Sequence, residues 1–394
     1  MSLVSIKGMD FLIPLIIFPF LLKVLGFDKF GLISFSLSVC AYFGALIQYG
    51  FSITAVRDIA RIKTDLKLLN QKFNDFFWTS ISLLVISFSI LLLLIFIVPK
   101  FSGEAELYFY TFFLVGMQSV FPYWFFQGVE EMKLIAYINV LTKFLYLVSL
   151  FIFINEPSDY VYVYLLYALN VLVGNIISII IIRKRFNVSL TVPNFYRIKN
   201  VILSGRHAFI TQFAPNFYNN TATFVLGLTV SSSILGIYVS ATKVIDALNS
   251  LAVLISSTFL PYLSRNIENH VLYKRIMYFV GISVCCVAFI FSTQIIDIFV
   301  DENIKDINLY FKWLILMVVF IFFRLIYGPN FLMLIGKEKL YKNIVLYSSL
   351  FFFFFSMYII PKMGVFGAIS VMIGASGTMS ILTYLAYKKV VVNG

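Results

Sequence analysis

The sequence predicts an all-α membrane protein of about twelve transmembrane helices, in two six-helix bundles related by pseudo-two-fold symmetry. Three observations support this fold class. Of the 394 residues, 61% are hydrophobic and 12% are charged, against about 25% charged residues in ordinary soluble domains. Twelve apolar runs are long enough to cross a bilayer, and short motifs recur in the two halves of the chain. With a mean hydropathy of +0.96, a soluble fold would lack the polar surface to cover its core.

The apolar runs have the length of membrane helices. A helix needs about 20 apolar residues to cross the hydrocarbon core, and the runs lack the strict alternation of barrel strands. Helices are therefore the predicted spanning elements. The predicted spans are residues 8–26, 29–50, 76–98, 107–127, 134–154, 160–182, 207–229, 234–256, 274–296, 309–332, 340–360 and 364–387.

Lysine and arginine residues outside the spans predict the orientation. The formal net charge is +12, spread as short clusters, which favours a membrane topology signal over nucleic-acid binding. With both termini in the cytoplasm, the basic clusters at 57–72, 183–206 and 388–389 all lie inside. Residues 54–75 also mix apolar and basic positions at helical spacing, which predicts an amphipathic helix on the inner leaflet.

The two halves of the chain share short motifs at nearly one offset. Residues 30–34 (FGLIS) match 235–239 (LGIYV), and 127–130 (QGVE) match 335–338 (IGKE). The predicted division is an N-terminal bundle over 1–185, a cytoplasmic linker over 186–203 and a C-terminal bundle over 204–394. Such repeats are typical of secondary transporters, with the substrate path at the repeat interface.

Charged residues inside the predicted spans are the candidate site residues, because each costs about 2.5–3.5 kcal/mol to insert. Lys143, Lys243 and Arg324 predict a shared cationic cavity for an anionic group such as a phosphate. Two of them have alternative interpretations. Lys243 and Asp246 are three residues apart and would neutralise each other, and Arg324 is near enough to its helix end to snorkel. Lys143 has no acidic neighbour in sequence.

Two further ionisable residues lie at the starts of predicted helices. Asp10 lies at the start of the first span and His207 at the start of the seventh. Asp10 has an alternative interpretation, since it could simply pair with Lys7, three residues earlier.

The sequence lacks the motifs of several functional classes. The chain has no phosphate-binding G-x-x-x-x-G-K-[ST] motif, no loop with a catalytic triad or paired carboxylates, and no ligand-spaced histidines or cysteines. It is therefore predicted to be neither an ATP-driven pump nor an enzyme, and to need no metal or cofactor.

Several segments resemble Wzx-type flippases of O-antigen and other polysaccharide repeat units. These belong to the MATE-like multidrug/oligosaccharidyl-lipid/polysaccharide exporter superfamily. Residues 50–60 (GFSITAVRDIA) resemble the family's segment after the second helix, and 123–133 (YWFFQGVEEMK) resemble its signature between the fourth and fifth. Residues 259–265 (FLPYLSR) resemble the close of its eighth helix. Residues 236–243 fit as well, although the family often has Glu where Thr242 stands.

This resemblance implies two six-helix bundles around a central cavity and a specific cargo. The cargo is an undecaprenyl-diphosphate-linked oligosaccharide, such as a lipopolysaccharide O-antigen unit, moved from the inner to the outer leaflet of the bacterial inner membrane by alternating access. The expected partners are membrane lipids, H+ or Na+ as coupling ion, and a polysaccharide polymerase complex. The expected substrate-binding residues are Lys143, Lys243, Arg324, Arg57, Trp124 and Gln127, and the expected ion-coupling residues are Asp10, Asp246 and His207.

Two alternatives stay open at the level of sequence. A cation-coupled multidrug antiporter of the same fold would need an acidic cavity, whereas the charges within these spans are mostly basic. A membrane-embedded polysaccharide polymerase or ligase would need large outer loops with catalytic residues, whereas the predicted outer loops are short.

Overall fold

The computed structural model describes residues 3–213, 217, 220–300 and 305–393, apart from the side chains of residues 3–12, 211, 392 and 393. This part of the chain is helical and contains no strand. Its contacts divide it into two compact units. The first holds the residues up to Ile17 and those from Phe35 to Phe213, and the second holds Phe18–Ser34 and the described residues from Phe217 onward. The division at residues 186–203 stays a prediction.

The first helix, α1 (Leu3–Gln48), is interrupted at Gly26. A straight helix of 46 residues would be about 70 Å long, more than twice the hydrocarbon thickness of about 30 Å. Gly26 has φ 70° and ψ 174°, a conformation open almost only to glycine. The rings of Phe18 and Phe30 lie 5.5 Å apart, although a straight helix would separate these positions by about 18 Å. The chain therefore folds back here, and α1 supplies two spans.

The remaining helices of the first unit begin and end at recognisable caps. Asp65 accepts hydrogen bonds from the backbone N–H groups of Lys67 and Leu68, both at 3.0 Å, and so starts α3. Asn187, with φ 53°, ends α8 in the left-handed conformation. These helices are α2 (Phe51–Ile62), α3 (Leu66–Ile97), α4 (Pro99–Ser102), α5 (Ala105–Val120), α6 (Tyr123–Gly128), α7 (Met132–Phe153), α8 (Tyr162–Phe186) and α9 (Phe195–Phe213).

The prediction of one amphipathic helix over residues 54–75 is wrong. α2 ends at Ile62, and α3 begins at Leu66 after a turn. The apolar face of α2 is buried in the protein, since Phe51, Ala55 and Ile59 are at most 2% exposed and belong to an aromatic core cluster. Amphipathic spacing shows that a helix has an apolar face, but it does not distinguish a membrane surface from a protein core.

The segment between α8 and α9 is held against α3. Asn74, which is 1% exposed, accepts a bond from the N–H of Thr191 and donates one to the carbonyl of Ser189, both at 2.8 Å. Arg197 at the start of α9 forms a 2.6 Å ion pair with the buried Asp75. The predicted linker is therefore docked on the first unit.

The second unit packs its helices around α14. Contacts join α14 to α11, α12 and α16, and join α15 to α16. A π-helical turn (Gly328–Met333) follows α14, and its buried Asn330 donates to the hydroxyl of Ser256 at 2.8 Å. The helices are α10 (Thr221–Thr229), α11 (Ser232–Leu263), α12 (His270–Ile290), α13 (Ser292–Phe299), α14 (Lys305–Tyr327), α15 (Glu338–Met363) and α16 (Val365–Asn393).

Two glycines allow the turn at Gly26 to pack against the start of α11. A Cβ at Gly31 would lie 1.9 Å from the carbonyl oxygen of Ser232, and a Cβ at Gly236 would lie 2.0 Å from that of Phe27. Only residues without a side chain permit such an approach of two backbones. These are the paired glycines of the sequence repeat.

The helices have the length and composition of membrane spans. Within the described residues, nine helical segments are long and apolar enough to cross a membrane, and the first, Ile13–Ile62, contains the break at Gly26. Each of the twelve predicted spans lies on one or more of the helices. The seventh, 207–229, includes residues 214–216, 218 and 219, which lie outside the described residues. The prediction of an all-α, multi-pass membrane protein is confirmed.

Candidate functional site

A polar pocket of about 290 Å³ lies inside the first unit. It forms where the end of α1 meets α5, α6, α7 and α8. Two of its lining residues, Phe121 and Val171, are apolar. The others carry amide, hydroxyl or ammonium groups and are Gln48, Gln118, Tyr123, Asn139, Thr142, Lys143 and Tyr167.

Helical spacing brings these groups together. Asn139 and Lys143 are four residues apart on α7, so both side chains lie on one helix face. Thr142 is adjacent to that face and is buried. Tyr167 and Val171 have the same spacing on α8 and face them across the pocket. The strong contacts of α8 with both α5 and α7 place Gln118 on the remaining wall.

Three hydrogen bonds orient four of the polar residues that line the pocket. The Tyr123 hydroxyl donates to Oδ1 of Asn139 at 2.9 Å, and the Thr142 hydroxyl donates to the Asn139 carbonyl at 3.1 Å. Nε2 of Gln212 donates to Oε1 of Gln48 at 3.0 Å. The amide oxygens of Asn139 and Gln48 are therefore engaged by neighbours, which leaves their NH₂ groups as the main donors toward the pocket.

Aromatic packing fixes the rings that line the pocket. Tyr167 is stacked on Tyr146 with ring centroids 4.2 Å apart and an interplanar angle of 9°. The rings of Phe121 and Tyr123 lie 4.3 Å apart. Rings held in this way offer a rigid apolar surface beside the amide groups.

Lys143 supplies the charge of the pocket. It is half-buried on α7, a helix that is long and apolar enough to cross a membrane. None of the nine described residues that line the pocket is acidic. The pocket therefore combines one cation with neutral donors and acceptors, which suits an anionic or a neutral polar ligand better than a cation.

The other residues predicted to bind substrate lie elsewhere. Trp124 is 4% exposed, and its ring packs 5.6 Å from the rings of both Phe73 and Phe76. Arg57 is exposed on α2 and pairs with Asp58 at 3.1 Å. Gln127 is exposed on α6. None of the three lines the pocket, and their roles in binding stay predictions.

Lys243 and Asp246 lie close together on α11. Their charged atoms are 3.9 Å apart, and both side chains are exposed, by 45% and 58%. Partial neutralisation of the pair, one of the two interpretations of the sequence, agrees with this distance.

Arg324 is half-buried on α14. Its Nη1 donates to the sulfur of Met379 at 3.1 Å, and its Nε is buried without a hydrogen-bond partner among the described residues. His207 is exposed on α9. The side chain of Asp10 lies outside the described residues. A cavity shared by Lys143, Lys243 and Arg324 stays a prediction.

Analysis of the sequence missed the amides of the pocket. Gln48, Gln118 and Asn139 each lie in a predicted span, as Lys143 does. A search for formal charges passes over them, although a buried amide also costs free energy unless it is bonded. Primary amides inside apolar runs were the available signal, and the tertiary structure shows which of them converge.

One protein-family model matches the part of the chain that contains the pocket. The family model described as polysaccharide biosynthesis protein matches residues 1–267. The chain belongs to this family. The matched region contains all nine residues of the pocket.

Curated relatives agree with this membership. Two proteins named "Putative O-antigen transporter", from Escherichia coli K12 and Shigella dysenteriae, are 26% and 24% identical to the chain over 263 residues. The aligned region is 66% of this chain and 63% and 65% of the two relatives. The chain thus matches slightly less than two thirds of their length.

Solved structures share the fold over nearly the whole chain. The lipid II flippase MurJ in an inward closed conformation has a TM-score of 0.71 at 14% identity, and the match covers 98% of this chain and 87% of the MurJ chain. An inward-facing MATE family multidrug resistance transporter of the MOP superfamily has a TM-score of 0.67 at 15% identity, and the match covers 100% of this chain and 96% of the transporter chain. The predicted MATE-like fold is confirmed, and so is the resemblance to proteins of polysaccharide biosynthesis.

Proposed function

We propose that this member of the polysaccharide biosynthesis family is a flippase. It moves undecaprenyl-diphosphate-linked oligosaccharide repeat units from the inner to the outer leaflet of the bacterial inner membrane by alternating access. The curated relatives named as O-antigen transporters support the cargo class. The fold shared with MurJ and MATE transporters supports movement of a ligand across the membrane.

The observation that carries this proposal is the placement of Lys143. A lysine within an apolar span costs about 2.5–3.5 kcal/mol on insertion scales, so its presence at this position indicates a role. The side chain lines a pocket that also holds three primary amides. An ammonium group attracts phosphate oxygens as a compact point charge, so Lys143 is the proposed contact for the diphosphate.

A multidrug antiporter is the second candidate, because MATE transporters share the fold. A cationic drug would need an acidic partner in its binding site. The described lining of the pocket has a lysine and no acid, which favours the flippase. The proposal also includes coupling to H+ or Na+ through Asp10, His207 or Asp246, and association with a polysaccharide polymerase.

Complementation of flippase-null bacteria tests the function. The wild-type protein should restore surface polysaccharide and clear stalled lipid-linked repeat units from the cell. Lys143→Ala should reduce surface polysaccharide about tenfold or more, the effect of losing one charge-assisted contact. Lys143→Arg keeps the charge and should retain more export.

The matched control is Lys133→Ala, on the same helix but exposed, which should export normally. Immunoblots of membranes show whether each variant inserts. Normal export by an inserted Lys143→Ala variant would contradict the role of this residue. Failure of the wild-type protein to restore export with any repeat unit, together with raised drug resistance, would favour the antiporter instead.

A further inference from the structure

The pocket around Lys143 has more hydrogen-bonding chemistry than a diphosphate uses. Phosphate oxygens only accept hydrogen bonds, whereas Gln48, Gln118 and Asn139 each carry a carbonyl acceptor as well as an NH₂ donor. Sugar hydroxyl groups both donate and accept. A lining of primary amides and hydroxyls therefore matches a sugar better than it matches an anion alone.

The three amides of the pocket differ in whether their oxygen already accepts a hydrogen bond from a neighbouring residue. Asn139 and Gln48 have their oxygens engaged by Tyr123 and Gln212, so they mainly present donors. Gln118 is half-buried, and its side chain has no hydrogen-bond partner within the described part of the chain. It therefore keeps both donor and acceptor for a ligand, which is the pattern that one hydroxyl satisfies.

The size and the rings of the pocket agree with one sugar ring. A volume of about 290 Å³ lies at the lower end of small-molecule pockets, about 300–1,000 Å³, so the pocket accepts one ring and not a whole oligosaccharide. Tyr167, held by its stack on Tyr146, offers a rigid apolar face to the C–H side of a pyranose. Phe121 gives a second apolar wall.

We propose that this pocket is a saccharide subsite, which binds one neutral hexose of the repeat unit through Gln118, Asn139 and Thr142. The inference rests on the proposed flippase function and adds a division of labour to it. Lys143 contacts the diphosphate, and the neighbouring amides contact the sugar attached to it. The first unit thereby selects cargo by its sugar as well as by its charge.

Binding to purified protein in nanodiscs tests the inference with two probes. One probe is undecaprenyl diphosphate, and the other is the same lipid carrying one hexose. Gln118→Met keeps the shape of the side chain and removes its donor and acceptor. It should weaken binding of the hexose-bearing lipid about threefold to tenfold, the loss expected for one hydrogen bond, and leave binding of the bare lipid unchanged. Lys143→Ala should weaken both.

A second variant and a control complete the experiment. Thr142→Val replaces a pocket hydroxyl by a methyl group and should also act only on the hexose-bearing lipid. Gln294→Met, on the exposed face of α13, should change neither affinity. Equal effects of Gln118→Met on the two lipids, or wild-type affinity for both in the two pocket variants, would overturn the subsite. Binding of neither lipid by the wild-type protein would instead overturn the proposed function and the subsite with it.

Discussion

Adding one methyl group at Gly31 or Gly236 should destabilise the second unit. An alanine Cβ at position 31 would lie 1.9 Å from the carbonyl oxygen of Ser232, and one at position 236 would lie 2.0 Å from that of Phe27. Ordinary contacts of a Cβ begin at 3.4 Å. The obstacle in both cases is a backbone carbonyl, which cannot rotate away as a flexible side chain can. The two segments must therefore separate by more than an ångström.

The expected cost follows from the size of this overlap. Overpacking a well-packed site costs about 1–3 kcal/mol, and contact with backbone on both sides places Gly31→Ala and Gly236→Ala at the upper end. At about 2–4 °C per kcal/mol for a unit of this size, each variant should lower Tm by about 6–12 °C. The double variant should lose less than the sum, because the first substitution already separates the segments.

Thermal unfolding with a thiol-reactive fluorogenic dye measures this effect. Cys285 in the second unit and Cys40 in the first are buried free thiols, whereas Cys286 is exposed. In a Cys286→Ser background, labelling of the two buried thiols therefore reports unfolding. The control is Gly103→Ala, whose Cβ would have no atom nearer than the Pro99 carbonyl oxygen at 3.9 Å, and which should keep the wild-type Tm. Wild-type Tm in both Gly31→Ala and Gly236→Ala would refute the reasoning.

Substitutions at two other positions, Asn74 and Trp124, test the packing of the first unit. Asn74→Ala removes the hydrogen bonds to the backbone of Thr191 and Ser189, which should cost about 1 kcal/mol for each bond. Limited proteolysis should then cleave within residues 187–194 faster than in the wild type, and an unchanged cleavage rate would contradict the docking of this segment. Trp124→Phe keeps an aromatic ring in the core cluster and should preserve export, whereas Trp124→Ala should lower Tm through a cavity worth about 3–5 kcal/mol. Loss of export in a Trp124→Phe variant of normal Tm would show that the indole contacts substrate.

The membrane helices and one residue of the site, Lys143, were predictable from the sequence because each depends only on the composition of its own segment. Apolar runs of sufficient length determine membrane helices without any knowledge of packing. Lys143 was predictable for the same reason, since a charge in an apolar run has a cost that the sequence displays. Residues 50–60 and 123–133, which carry the resemblance seen in the sequence, lie within the region 1–267 that the model of the polysaccharide biosynthesis family matches.

The partners of each residue were not predictable, because they depend on which helix faces are in contact. Trp124 lies within a segment typical of the family, but only packing shows that its ring is covered by Phe73 and Phe76. The spacing of α2 was equally compatible with a lipid surface and with the core that buries Phe51 and Ile59.

The amino-acid sequence by itself determined that this chain folds as membrane helices and that it belongs to the polysaccharide biosynthesis family. It also showed that Lys143 is a charged residue within an apolar span. The tertiary structure alone decided that Gln48, Gln118 and Asn139, from three different helices, lie around the same pocket as that lysine. The physical reason is the separation, along the sequence, of the residues on which each property depends. Hydrophobicity and charge act on each segment separately, whereas a binding site requires contacts between residues that are far apart along the chain.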